Sequence, residues 1–322
     1  MNVDKGYVDA PVEDSLDLKK EIERLKKEKN AVILAHYYQD GEIQDLADYI
    51  GDSLALAQIA ENLTADIIVL CGVHFMGETA KIICPGKKVL VPDLNAGCSL
   101  ADSCDASDFE KFTADHPDHL VISYVNTSAA VKALTDIVVT SSNARKIVES
   151  LPRDQKIIFG PDRNLGNYIN STTGRDMLLW NGACHVHEQF SLEKIIELKR
   201  QYPEAKLLVH PECKKTVVML ADKVGSTAAL LDFAKNDSAR QFIVATESGI
   251  LHEMKKACPD KTFIPAPPED STCACNNCNF MKLNTLKKLY NTLRFEQPEI
   301  TVDQQVAEKA IRPIRRMLEM SK

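Results

Sequence analysis

The sequence lacks a basic excess, a secretory leader and any apolar run long enough to span a bilayer. Lys and Arg total 39 against 46 Asp and Glu, giving a net charge of −7 and a pI near 5.7. That balance argues against nucleic acid or an anionic membrane as a partner, so an anionic ligand has to be caught by a local site. Residues 1–17 are acidic and contain no apolar segment after a basic start, which excludes a secretory signal. Asp66 to Cys71, among the longest apolar runs, is far too short for a membrane helix. A cytoplasmic address is the expectation. A nucleotide fingerprint is also missing: GPDRNLG, Gly160 to Gly166, has neither phosphate-loop nor dinucleotide spacing and reads as a tight turn beside the site.

With 322 residues, 44% of them hydrophobic and 26% charged, the chain has the makings of a globular protein of two or three domains. Ten cysteines stand out. In a reducing compartment they make a poor disulfide framework, which moves weight toward metal or redox chemistry. Cys71 and Cys84 read as small buried hydrophobes. Cys273, Cys275 and Cys278 crowd into STCACNNCNFM, Ser271 to Met281, close enough together to hold a metal, a cluster or a redox disulfide.

An amphipathic helix over Asp14 to Lys29 leads into a buried strand, Ala31 to Ala35, that ends in HYYQD. A helix from Ser53, a strand over Asp66 to Leu70, a helix at MGETAKII and a strand over Lys88 to Asp93 follow, and then AGCSL with Cys98. The order recurs. Strands over 119–123, 136–140 and 156–162 precede Cys184 in WNGACHVH, and strands at AKLLV, QFIVATE and KTFIPAP precede the cysteine stretch. First-strand ends fall at His36, Tyr124 and His210, separated by 124 − 36 = 88 and 210 − 124 = 86 residues. The cysteines keep step, with 184 − 98 = 86 and 278 − 184 = 94. Such spacing predicts three similar α/β units of about 85 residues, each a β-α-β-α-β layer with a small parallel sheet. Their expected limits are 1–115 with the N-terminal helix, 116–200, and 201–322 with the cysteine loop and the C-terminal helices. The tail KAIRPIRRMLEMSK reads as a solvated helix, and Trp180 as core.

Binding groups gather beyond the carboxyl ends of parallel strands. The three first strands end in His36 with Tyr38, Tyr124 with Asn126, and His210 with Glu212. Arranged around a pseudo-threefold axis, the units would turn these ends, and one cysteine each, toward a central site. Three thiolates suit an iron–sulfur cluster and leave one iron of a [4Fe–4S] cluster open as a Lewis acid, which fits dehydration and condensation chemistry. Glu212 and Tyr38 are candidates for proton transfer, His36 and His210 for orienting substrate. Ser53, Ser141 and Thr227 each open a helix. Singly they read as caps; together, one per unit, they read as helix ends holding phosphate or carboxylates. Asp52 stays open between a cap and a site residue.

HYYQD, IGDS, CGVHFMGETAKI, VTSSNA, LWNGACHVHEQF, HPEC, VGST, ATESGI and CNNCNFMKLNTL, in this order from residue 36 to about 286, together resemble the quinolinate synthase (NadA) family of NAD biosynthesis. The resemblance implies three α/β/α domains around a pseudo-threefold axis and a [4Fe–4S] cluster held by one cysteine from each, with one iron open. It implies a transferase that condenses iminoaspartate with dihydroxyacetone phosphate, losing phosphate and two waters to give quinolinate, and a functional link to an L-aspartate oxidase supplying iminoaspartate. By motif, the cluster ligands fall on Cys98, Cys184 and Cys278. Substrate handling falls on His36, Tyr38, Asp52, Ser53, Tyr124, Asn126, Ser141, His210, Glu212 and Thr227, with Glu212 and Tyr38 shuttling protons.

Competing readings attach to several residues. Cys104 lies six residues after Cys98, and AGCSL favours Cys98. Cys184 neighbours His185 and His187 in CHVH, whose spacing suits a strand, but no second pair is nearby to complete a zinc site. Cys213 is expected to point away from Glu212's direction and to be structural. Cys273 and Cys275 form CxCxxC with Cys278, where family members with extra cysteines carry CxxCxxC; a disulfide, spare ligands and bystanders all remain open. Two other functions compete. An iron–sulfur hydro-lyase acting on a hydroxy acid would not need Ser53, Ser141 and Thr227 together, and a cluster-based sensor would need an output module or DNA-binding surface that the sequence lacks.

Overall fold

The computed structural model describes residues 3–270 and 276–322, so Cys273 and Cys275 lie outside the described residues. Continuous apolar runs become strands buried on both faces. The first sheet holds β1 (Ala31–His36), β2 (Tyr49–Gly51), β3 (Ile67–Cys71) and β4 (Lys88–Leu90). The second holds β5 (Leu120–Tyr124), β6 (Ile137–Val139), β7 (Ile157–Gly160) and β8 (Leu178–Leu179), and the third β9 (Lys206–Val209), β10 (Lys223–Val224), β11 (Gln241–Ala245) and β12 (Thr262–Pro265). Every pairing is parallel. The spatial orders β2-β1-β3-β4, β6-β5-β7-β8 and β10-β9-β11-β12 are one topology used three times. The chain is thus an α/β protein of three similar units.

Each sheet has four strands rather than the three expected. β2, β8 and β10 are two or three residues long, too short to show any pattern in sequence.

Repetition extends to single hydrogen bonds. Asp48, Asp136 and Asp222, spaced 136 − 48 = 88 and 222 − 136 = 86, each accept a first-strand N–H on a carboxylate oxygen: Ile33 at 2.8 Å, Val121 at 2.8 Å and Leu207 at 2.7 Å. Their own N–H groups return to the carbonyls of the same three residues at 2.9 Å. This pin joins the first strand to the short strand that begins one residue after the aspartate.

The terminal helices tie the units together. Leu18–Glu28, capped by Asp17, buries Ile22 and Leu25 and packs against helix Leu286–Phe295. The C-terminal helix, Gln304–Met320, is not the solvated helix expected. Ala310, Pro313, Ile314, Met317 and Leu318 recur every three or four residues as one buried stripe. It packs against β6, helix Ala129–Lys132 and helix His74–Ile83, bridging the first two units, while Arg312, Arg315 and Arg316 stay exposed. Trp180 is half-buried beside Phe109 and Phe112, its indole N–H donating to the Ser103 carbonyl at 3.0 Å.

Candidate active site

His36 and Tyr38, Tyr124 and Asn126, and His210 and Glu212 all line one cavity of about 710 Å³, open mouth included. Cys98, Cys184 and Cys278 line it as well, as do Asp52, Ser53, Ser141 and Thr227. Among the described residues no Lys or Arg lines it.

The strand ends share a local device. His36 Nδ1 accepts the Tyr38 N–H at 3.1 Å, and His210 Nδ1 accepts the Glu212 N–H at 3.4 Å. A neutral imidazole held this way carries its proton on Nε2. Burial lowers His36 to about 4 against the pull of Asp52 and Glu212, and lowers His210 to about 3 against Glu212. Both rings are therefore neutral at pH 7.

The residues two positions on diverge. Tyr38 places its hydroxyl 2.8 Å from Thr227 Oγ1 and 2.7 Å from Thr246 Oγ1, and burial with the nearby Glu212 charge pushes the phenol well above its ordinary value. Tyr38 is a protonated donor across the neutral range. Glu212 accepts the Tyr124 hydroxyl at 2.5 Å, lies 3.2 Å from His187 Nδ1 and is almost fully buried. Burial alone would raise this carboxyl; the imidazoles of His187 and His210 and the hydrogen bonds from His187 and Tyr124 outweigh it and keep Glu212 ionised. His187 stacks on His210 at 4.6 Å between ring centroids and reaches Thr246 Oγ1 with Nε2 at 2.9 Å.

The residues that precede the three helices are not the hydroxyls expected to cap: they lie one residue away in the first and third units and two away in the second. Asp52 caps helix Ser53–Asn62 by accepting the Ala55 N–H at 3.0 Å, and its other oxygen takes the Ser142 hydroxyl at 2.6 Å. Ser226 caps helix Thr227–Asn236 through the Ala229 N–H at 3.3 Å. Asn143 precedes helix Ala144–Ser150. Ser53, Ser141 and Thr227 are thereby released from capping, and all three line the cavity.

Each cysteine arrives on its own loop. Cys98 precedes helix Ser99–Asp102 and Cys184 precedes helix His185–Glu188, so CHVH is a helical turn, not a strand. Gly182 makes the approach of Cys184 feasible: a Cβ there would lie 2.6 Å from the Pro161 carbonyl oxygen. Asp162, fully buried, then accepts the Cys184 N–H at 3.2 Å. Cys278 donates its N–H to buried Glu247 at 3.2 Å. Lys282 ties the same loop to Asp40 at 3.1 Å, to Glu247 at 3.4 Å and to the Tyr38 carbonyl at 2.8 Å.

The donor chemistry of this set suits a metal centre. All three thiols are free, and burial raises each of them, Cys98 to about 12, so metal binding would exchange protons for metal. Three soft sulfurs from three loops at one cavity fit an iron–sulfur cluster. A second grouping overlaps it: ligand atoms of Cys184, His187 and Glu212 lie within 4.8 Å of one another.

Sequence reasoning missed His187, Thr246 and Glu247 as parts of the site. The last two sit just past β11 in ATESGI, and His187 lies one helical turn beyond Cys184. Cys213 is buried with its Sγ 3.5 Å from the Ala245 carbonyl, away from the cavity. GPDRNLG is the end of β7 running into helix Arg163–Thr173, capped by Asp162 rather than folded as a tight turn, and Arg163 pairs with Glu188 at 2.8 Å.

The family described as Quinolinate synthetase A protein (NadA) matches residues 20–319. Quinolinate synthase of Nostoc punctiforme is 60% identical over 306 residues, 95% of this chain and 94% of the relative. That of Synechococcus is 57% identical over 318 residues, 99% and 98% of the two chains, and that of Chloroherpeton thalassium 57% over 307 residues, 95% of each. With three repeated α/β units, one shared cavity and a match running from residue 20 to 319, the chain belongs to the quinolinate synthase family.

Proposed function

We propose that the protein is a cytoplasmic enzyme of NAD biosynthesis that condenses iminoaspartate with dihydroxyacetone phosphate to quinolinate, releasing one phosphate and two waters. Cys98, Cys184 and Cys278 would hold a [4Fe–4S] cluster. One observation carries this reading: three thiols and three strand-end pairs, one set per unit, line a single cavity. Among the described residues no helix is long and apolar enough to cross a membrane.

When bound, such a cluster supplies a Lewis acid at its open iron toward a substrate carbonyl or hydroxyl. The chain's own groups do the rest. Ser53, Ser141 and Thr227, with Asn126, offer neutral donors to carboxylates and phosphate, beside the N-termini of helices Ser53–Asn62 and Thr227–Asn236. His36 and His210 present Nε2–H groups that remain donors at neutral pH. Tyr38 is the protonated group that gives a proton, and ionised Glu212, relayed through Tyr124 and His187, is the group that takes one. An L-aspartate oxidase would supply the unstable imine.

Anaerobically prepared protein given dihydroxyacetone phosphate and freshly generated iminoaspartate should form quinolinate by mass spectrometry, in proportion to bound iron. A full rate with no iron bound would sink the proposal. Alanine at Ser53, Ser141 and Thr227 together should abolish turnover of the phosphorylated triose; undiminished turnover would favour a hydro-lyase. The Cys184, His187 and Glu212 grouping supports a second reading, a single ion of zinc type in a mixed sulfur, nitrogen and oxygen site. Metal analysis separates the two: about four irons with sulfide per chain, or one zinc.

A further inference from the structure

The first two units close the loop after their first strand with a side-chain hydrogen bond from an equivalent position. In the first unit Gln44 Nε2 donates to the Gln39 carbonyl at 2.8 Å, and also to Tyr37 and Gly249 carbonyls at 3.1 and 3.0 Å. In the second, Lys132 Nζ donates to the Thr127 carbonyl, and the positions correspond, since 132 − 44 = 88 and 127 − 39 = 88. In the third, 218 − 132 = 86 brings Val218, which has no polar group at all. A neutral amide or an apolar side chain therefore suffices for this corner of the fold. Hydrogen bonding does not account for a charge there.

Lys132 is nonetheless fully buried, at 0% exposure. Its ammonium lies 5.3 Å from the centroid of the Phe75 ring, and Phe75 lines the cavity. No described carboxylate is ion-paired with it. Glu78, whose carboxylate accepts the Ala129 N–H at 3.0 Å, acts on it only from longer range. Lys282, by contrast, is paired with Asp40 and with Glu247, which lines the cavity. An unpaired buried cation is costly unless a negative charge faces it. Burial pushes the Lys132 ammonium down to about 8, with Glu78 and Cys98 opposing, which leaves it mostly protonated at pH 7.

The cavity in front of Phe75 collects Glu212, Glu247 and three thiols, and among the described residues no Lys or Arg lines it. We infer that Lys132 is the fixed counter-charge of this site, set behind the Phe75 wall to offset the negative charge of a thiolate-held cluster and a bound dicarboxylate. The inference rests on the reading of Cys98, Cys184 and Cys278 as cluster ligands. Lys132 touches neither cluster nor substrate; it sets the potential in which both sit.

The test uses anaerobically prepared full-length protein and the variants Lys132→Gln, Lys132→Met and Lys132→Arg. Gln is the residue that the first unit carries at this place. Lys132→Gln and Lys132→Met should keep wild-type iron and sulfide content and melt within a few degrees of wild type. Their cluster midpoint potential should shift to more negative values, because a nearby positive charge favours the reduced form. Quinolinate should bind on the order of tenfold more weakly. Lys132→Arg should restore both toward wild type. Unchanged potential and unchanged quinolinate affinity in folded Lys132→Gln would overturn the inference. So would failure of both neutral variants to fold, since the charge would then serve the fold alone. Wild-type protein that holds no iron would instead overturn the cluster reading, and quinolinate affinity would still judge Lys132.

Discussion

The first and third units present the same turn to the cavity and place on it side chains of opposite protonation state. In both, a buried neutral histidine accepts the N–H of the residue two positions on, His36 from Tyr38 and His210 from Glu212. One turn then delivers a phenol that burial keeps protonated, the other a carboxylate that its imidazole and phenol neighbours keep ionised. Repetition of the backbone fixes where the side chains emerge, and under the proposed function the single residue two positions past each histidine would set the direction of proton movement. In the second unit Tyr124 takes the place of the histidine and serves Glu212 directly.

Glu212→Gln is the most severe way to break this comparison. It leaves the turn intact and removes the only proton acceptor assigned to the pair, so kcat should fall about 10³-fold. Retained turnover would move the acceptor role elsewhere, with Glu247 the next buried carboxylate at the cavity. Tyr38→Phe should cost about 10²-fold in kcat, with quinolinate affinity nearly unchanged.

Acid stability tests the feature the two turns share. An imidazole lowered to about 4 (His36) or about 3 (His210) in the folded protein stays neutral where the unfolded chain already binds a proton. Stability is then present above about 6.5 and lost as the pH falls from there toward those values. Melting temperature should drop between pH 7 and pH 5, and His36→Asn should flatten part of that slope; an equal slope would mean that His36 is not held neutral.

The smallest effect separates the adjacent residues Ser226 and Thr227. Ser226→Ala removes the cap and should cost about 1 kcal/mol of stability while leaving turnover near wild type. Thr227→Ala removes a partner of Tyr38 and should do the reverse, lowering turnover about tenfold with little change in melting.

Much of this architecture was legible in the chain. Parallel strands buried on both faces leave continuous apolar runs such as AVILA, and the polar pair after each run betrays the repeat through its spacing. What stayed hidden depended on three-dimensional context. β2, β8 and β10 exist because a neighbouring strand offers partners, not because two or three residues demand extension. In IGDS and VGST two adjacent residues are each able to cap, and only backbone geometry assigns the role to Asp52 and Ser226 and frees Ser53 and Thr227. Nothing in the sequence around Lys132 marks it as buried, and only the fold places it against Phe75. The C-terminal helix hid its buried stripe among four basic residues from Lys309 to Arg316 and the acidic ones around them.

Central to the account is a metal centre assembled by all three units rather than by the local cysteine stretch near the end of the chain. Iron and sulfide content, measured anaerobically with an electronic spectrum on wild type, Cys98→Ala, Cys184→Ala, Cys278→Ala, Cys273→Ala and Cys275→Ala, tests it most directly. The account predicts a cluster in wild type, its loss in the first three variants, and its retention in the last two. A cluster retained in Cys98→Ala or Cys184→Ala but lost in Cys273→Ala or Cys275→Ala would contradict it and place the metal on the local stretch.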